Sequence, residues 1–189
     1  MVDSNLESVV GPSQPRIRLI KEEDIEAVTS ILKQWVRHWE TRDIIQDEID
    51  EIVLSIEKSI NGENNYRYFL AESQSGEVQG IVGYRLPDKR MLDFTTSDKA
   101  IELTNFYIGN DFRGKGIGKA LFQKLERAAS EEGFDQVVLN SGPRYKDTAW
   151  PFYDSYPGLG RVGTAKDMYG QGIDAPVWRK DLSDKIDVK

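Results

Sequence analysis

The sequence predicts one domain of the α/β (α+β) class, and three observations lead there. Strand-like runs are interleaved with amphipathic helical segments along the chain. Its 189 residues suit a single substantial core. Residues 103–127, LTNFYIGNDFRGKGIGKALFQKLER, run from a β-type segment through three closely spaced glycines into a helix, a unit suited to holding an anion.

Residues 1–15, polar with Gly and two Pro, are expected to form a disordered tail, and 183–189 a polar C-terminal tail, leaving 16–182 as the domain. Alternation in Arg16-Ile17-Arg18-Leu19-Ile20 predicts a half-buried first strand. A helix is expected from about Glu22 to Trp39, with Ile25, Val28, Ile31, Leu32 and Trp35 on one face. A second is expected from about Gln46 to Ile60, with Ile49, Ile52, Val53 and Ile56 aligned. The run Asn61 to Asn65 stops it, Tyr66 to Glu72 reads as a strand, and Ser75-Gly76 turns into another over Val78 to Leu86.

Residues 87–99 make a connection longer than most, expected to be a mobile loop over a site. Leu103, Phe106, Tyr107 and Ile108 form a strand ending at Gly109. Spacings of three and four among Ile117, Ala120, Leu121, Leu125 and Ala128 predict the following helix, stopped at Gly133. Val137 to Leu139, Arg161 to Ala165 and Ala175 to Lys180 complete the strands, the last two joined by a glycine-rich loop.

Gly114, Gly116 and Gly118 let the backbone turn sharply and bring its N–H groups near a ligand, just where a helix N-terminus offers unpaired donors and partial positive charge. A Walker-type loop fits Gly109 to Lys115 but then needs a hydroxyl where Gly116 stands, and the strand Val137 to Asn140 lacks a terminal Asp for a metal. A dinucleotide fingerprint needs G-x-G-x-x-G early in the chain, whereas the spacing here is Gly114-x-Gly116-x-Gly118 and comes late.

Arg113-Gly114-Lys115-Gly116-Ile117-Gly118 matches R/Q-x-x-G-x-G/A, and with the strand Val137-Val138-Leu139 and the A-x-x-F-Y segment at Ala149 to Tyr153 it resembles the GCN5-related N-acetyltransferase (GNAT) family over roughly residues 100–160. The resemblance implies a mixed, largely antiparallel sheet flanked by helices, acetyl-CoA as cosubstrate and no metal. It implies cofactor contacts at Phe106, Ile108, Arg113, Gly114, Lys115, Gly116, Ile117, Gly118, Lys119 and Asn140, with Tyr153 as general acid and Glu102 as general base. Lys146 stands where the family often has Asn, and Tyr156-Pro157-Gly158-Leu159 replaces its usual Gly-Phe, departures that fall on the acceptor side.

Amine acetylation needs a base, because an alkylammonium with a pKa of ~10.4 is protonated at neutral pH. Glu102 also reads as an exposed carboxylate at a strand start, and Tyr153 as an aromatic packed beside Phe152. His38, Asn140 and Arg144 are further contact candidates or ordinary turn and surface residues. With no Cys and one His, the chain offers no disulfide, no thiol nucleophile and no His-cluster metal site, so direct attack is expected.

A net charge of -7 and a pI near 4.9 argue against a nucleic-acid partner. Lys21 to Ile60 carries eleven acidic and five basic residues, a net of -6, whereas Asp111 to Arg127 carries two and five, a net of +3. A small cationic amine is therefore expected at the end opposite the phosphates. No apolar run approaches a membrane helix and no signal-peptide pattern opens the chain, so no membrane partner and a cytoplasmic protein are expected. Oligomeric state is open, a homodimer included. The rivals are a non-catalytic acyl-CoA-binding sensor or structural module on the same fold and, disfavoured by Gly116, a P-loop nucleotidase.

Overall fold

The computed structural model describes residues 14–63 and 66–182; apart from Gln14 and Pro15, the expected tails lie outside these residues. Seven strands form one sheet in the order β1-β2-β3-β4-β5-β7-β6. They are β1 (Arg16–Leu19), β2 (Arg67–Glu72), β3 (Val78–Arg85), β4 (Ala100–Ile108), β5 (Gln136–Asn140), β6 (Gly160–Ala165) and β7 (Ala175–Asp181). Only β4 and β5 pair in parallel, so the sheet is mixed and largely antiparallel, as expected. No helix among the described residues is long and apolar enough to cross a membrane.

Helices cover both faces, and β2 shows how its sequence demands this. In Arg67-Tyr68-Phe69-Leu70-Ala71-Glu72, successive side chains point to opposite faces, yet the four central residues are all apolar. Tyr68 and Leu70 join the core beneath α1 (Ile25–Trp35) and α2 (Gln46–Ile60), with Val28, Leu32, Ile49 and Ile56. Phe69 and Ala71 join the opposite core beneath α4 (Ile117–Glu131) and α5 (Ala149–Ser155), with Leu121, Leu125, Tyr153 and Trp178.

Three expectations need correction. The first helix ends at Trp35, four residues before Trp39, because Val36 leaves helical geometry and is buried. The chain then reverses through His38 N–H to Asp43 O and Ile45 N–H to Val36 O, with Arg42 in the left-handed region at φ 63°. Glu102 is not exposed at a strand start: β4 begins at Ala100, and the carboxylate is 3% exposed. The 87–99 connection is anchored, since it contains α3 (Lys89–Leu92) and buries Met91 fully against Val138, Ala165 and Val177.

The site begins where β4 and β5 separate. Their ladder joins only Ala100–Glu102 to Gln136–Val138. Beyond it β4 carries one more residue than β3, with Thr104 opposite Gly83 and Tyr107 opposite Ile81, a bulge centred on Asn105 at φ 50°. The bulge re-aims β4, and residues 103–108 face a gap instead of β5.

Candidate functional site

That gap is part of an open cleft of about 1360 Å³. One end is the glycine loop. Gly114 and Gly116 have φ of 72° and 80°, so glycine is needed for the turn itself; a Cβ at either would meet nothing within 4 Å. Gly118 serves otherwise: its φ is ordinary, and a Cβ would lie 3.4 Å from the Phe106 ring and 3.6 Å from the Phe152 ring. Gly116 caps α4, its carbonyl taking the Ala120 amide, so the amides of Ile117, Gly118 and Lys119 open onto the cleft without helical partners. This donor-rich turn fits the phosphate end of acetyl-CoA.

Arg113, Lys119 and the glycines line this end; Lys115 does not, its Nζ lying 5.6 Å from the centre of the Phe112 ring. Neither Arg113 nor Lys119 forms an ion pair with a carboxylate among the described residues. Phe106 lines the cleft and packs edge-on to Phe122 and Phe152. Ile108 lines it too, but its carbonyl already accepts Trp35 Nε1–H at 2.8 Å.

Tyr153, on α5, is 4% exposed, its ring 5.2 Å from Trp178 and 6.4 Å from Phe106. It lines the cleft, and no side chain among the described residues hydrogen-bonds its hydroxyl. Burial pushes its pKa well up, helped by Tyr169 and Tyr145, which keeps the proton on the oxygen.

Glu102 lines the same cleft. Its Oε2 accepts the Asp88 amide at 2.8 Å and lies 3.3 Å from an Arg85 guanidinium nitrogen, while Oε1 lies 3.5 Å from Asn140 Nδ2. Burial raises its pKa above the usual carboxylate range, and Arg85 opposes that rise without cancelling it. Asn140 sits at the end of β5, beside Glu102, and also accepts the Tyr169 hydroxyl at 2.7 Å.

The far end is polar and aromatic. Arg144 pairs with Glu48 of α2 and lies 4.8 Å from the centre of the Tyr145 ring; Tyr145 and Tyr107 hydroxyls are 3.3 Å apart. Of the eleven acidic residues counted in the helical region, Asp47, Glu48 and Glu51 line the cleft. His38 does not line it, although its neighbour Trp39 does. Sequence reasoning missed Arg85, Tyr107 as a polar group, Tyr145 and Tyr169. Tyr107 was legible only as an apolar strand residue, and nothing local marked Arg85, which reaches Glu102 because β3 and β4 set them opposite each other.

Comparison with known proteins agrees with this architecture. An acetyltransferase of the GNAT family from Staphylococcus aureus Mu50 superposes with a TM-score of 0.67 at 16% identity, covering 89% of this chain and 99% of that one. A GNAT superfamily phosphinothricin acetyltransferase from Sinorhizobium meliloti, solved in complex with AcCoA, gives 0.65 at 23% identity, covering 90% and 89%. Human N-acetyltransferase 8 is 31% identical over 87 residues, 46% of this chain, and the chain spans about a third of that relative's length, 36%. The model of the Acetyltransferase (GNAT) family matches residues 27–156, more than half of the sequence and including the glycine loop, β5 and α5, and the chain belongs to that family.

Proposed function

We propose that the chain transfers an acetyl group from acetyl-CoA to a primary amine by direct attack. The observation that carries this reading is the separation of β4 from β5 beside the glycine-capped start of α4: a slot with free strand backbone leads into a donor-rich turn. The amides of Ile117, Gly118 and Lys119, with the Arg113 and Lys119 side chains, hold the phosphates, and Lys115 adds charge from outside the cleft. The backbone of Phe106 and Ile108 lines the path of the arm, Ile108 with its carbonyl already held by Trp35. Asn140 orders the acceptor end instead of the cofactor.

Acetyl-CoA supplies an activated acetyl thioester. Glu102, ionised, accepts the proton of the incoming ammonium directly or through water, and its raised pKa makes it a better acceptor than an ordinary carboxylate. Tyr153, protonated at neutral pH as any phenol is, gives its proton from Oη to the departing sulfur and takes up the second proton that the nitrogen sheds as the amide forms. A cytoplasmic protein is part of the same proposal.

The acceptor is proposed to be small and cationic: polyamine-like, aminoglycoside-like, amino-acid-like, or a basic peptide terminus. Asp47 and Glu51 face the cleft without a basic partner among the described residues, while Glu48 is neutralised by Arg144. Two unpaired carboxylates give a modest, salt-sensitive attraction. An acceptor panel with acetyl-CoA, read by free thiol release, tests this. Cationic amines should give the highest kcat/KM, falling as salt rises; highest kcat/KM for anionic or neutral amines, unchanged by salt, overturns the acceptor class. The second reading, a non-catalytic acyl-CoA-binding module, draws on one observation, the three partners that hold Glu102. CoA binding with no turnover on any amine would favour it.

A further inference from the structure

The end of α1 is fastened to the segment that enters the glycine loop. Trp35, its last residue, donates Nε1–H to the Ile108 carbonyl at 2.8 Å, and Gln34 Oε1 accepts the Asn110 amide at 2.9 Å. On the same indole, the Arg113 guanidinium carbon lies 5.0 Å from the ring centre, within cation–π range. Trp35 and Arg113 both line the cleft, and Arg113 is exposed. An exposed arginine loses much rotamer freedom when a ligand fixes it, and a ring that already restrains the guanidinium removes part of that cost beforehand. A carboxylate would restrain Arg113 too, but would neutralise it; an aromatic ring leaves its charge available for an anion.

We infer that Trp35 is a positioning residue for phosphate capture, its ring holding Arg113 at the mouth of the glycine loop and its N–H fixing that ring to β4. The inference rests on the reading of the cleft as an acetyl-CoA site. Without Trp35, Arg113 is still present but no longer held in place. The effects of removing the two residues are therefore not independent.

The test is a double-mutant cycle on the full chain with Trp35→Leu and Arg113→Gln. CoA affinity is read by calorimetry at two ionic strengths, melting temperature checks the fold, and kcat is taken at saturating acetyl-CoA. Trp35→Leu should weaken CoA by about three- to thirtyfold, the range of a cation–π contact. Its KM for acetyl-CoA should rise accordingly while kcat at saturation stays within about twofold. The double variant should bind CoA no more than about twofold weaker than Arg113→Gln alone. Trp35→Leu should also flatten the salt dependence of binding, which loss of packing alone would not do. Trp35→Phe keeps a ring without the donor, should fall between wild type and Trp35→Leu, and carries the test if the Leu variant does not fold. Two losses that simply multiply, or unchanged CoA affinity in folded Trp35 variants, overturn the inference. If wild-type protein binds no CoA, the acetyl-CoA reading falls and this inference with it; if wild type binds and the Trp35 variants bind equally, only this inference falls.

Discussion

Gly116 allows a test that separates folding from binding, because the same position is strained for any side chain and lies against the proposed phosphates. It sits at φ 80° and ψ -2°, so any non-glycine residue there costs about 1–2 kcal/mol of backbone strain, although a Cβ has open space. Gly116→Ala and Gly116→Glu share that cost, which lowers Tm by roughly 2–8 °C for a chain of this length. For folding, Glu is the better of the two, since a negative charge at the N-terminus of α4 gains about 0.3–1 kcal/mol from the helix dipole. For binding it is the worse. A carboxylate ~5 Å from a phosphate, at an effective dielectric of ~40, is repelled by about 1.7 kcal/mol per unit charge. Two phosphate charges make this about 3 kcal/mol, roughly a two-hundredfold loss relative to Gly116→Ala. Calorimetric titration with CoA, alongside thermal melts of both variants, measures the two effects separately. A Gly116→Glu protein that melts no lower than Gly116→Ala and binds CoA within about threefold of it would refute the placement of the phosphates.

Tyr153→Phe should lower kcat by roughly a hundred- to ten-thousand-fold with CoA affinity near wild type, measured by stopped assay and calorimetry; near-full turnover where chemistry limits the rate would assign the acid elsewhere. Glu102 has a raised pKa, so the acid limb of kcat/KM should lie above the ordinary carboxylate range, the rate falling as the pH drops through that limb and the base becomes protonated. Glu102→Gln should remove this limb and shift recovery to higher pH, where free amine exists without a base; a superimposable pH profile would exclude Glu102. Arg18 holds Asp24 and, with Arg16, Glu72 below the usual carboxylate range, chiefly through side-chain hydrogen bonds. That stability is present above the unfolded carboxylate pKa of ~4 and is lost as pH falls through the lowered folded values. Arg18→Met should therefore lower Tm at pH 7 and lower it much less near pH 2, read as the Tm difference from wild type at the two pH values.

What the sequence revealed of this protein follows the range over which each feature is determined. The second helix runs over Gln46–Ile60 as expected, because its period and the break at Asn61 are local. The helical pattern overruns the end of the first helix because Trp35 and Trp39 are one turn apart and continue it, whereas burial of Val36 and the Arg37–Ile44 bridge that turn the chain are tertiary. The glycine loop was legible from spacing alone, but the separation of Lys115 from Arg113 was not, since Phe112 and Trp35 draw the two cations to different places. Glu102 could be named from resemblance. Its burial and its three partners could not, because they depend on β3, β4 and β5 being in register.

β4 has to satisfy two opposed demands, and one residue reconciles them. At its start it is paired on both sides, with β3 and β5, which buries Glu102 and raises its pKa; further along it must give up β5 so that strand backbone faces the cleft. A regular strand cannot do both, because continued pairing with β5 would close the gap. The extra residue at Asn105 redirects the chain between the two duties. Asparagine tolerates the left-handed backbone better than most residues, and its Nδ2 donates at 2.5 Å to the Tyr68 hydroxyl. Tyr68 is fully buried beneath α1 and α2, and burial lifts its phenol to about 12, so the anchor stays neutral across the working pH range. The bulge is thus tied into the core under the two helices that border the cleft, and the opening of the slot and the placement of those helices share one support.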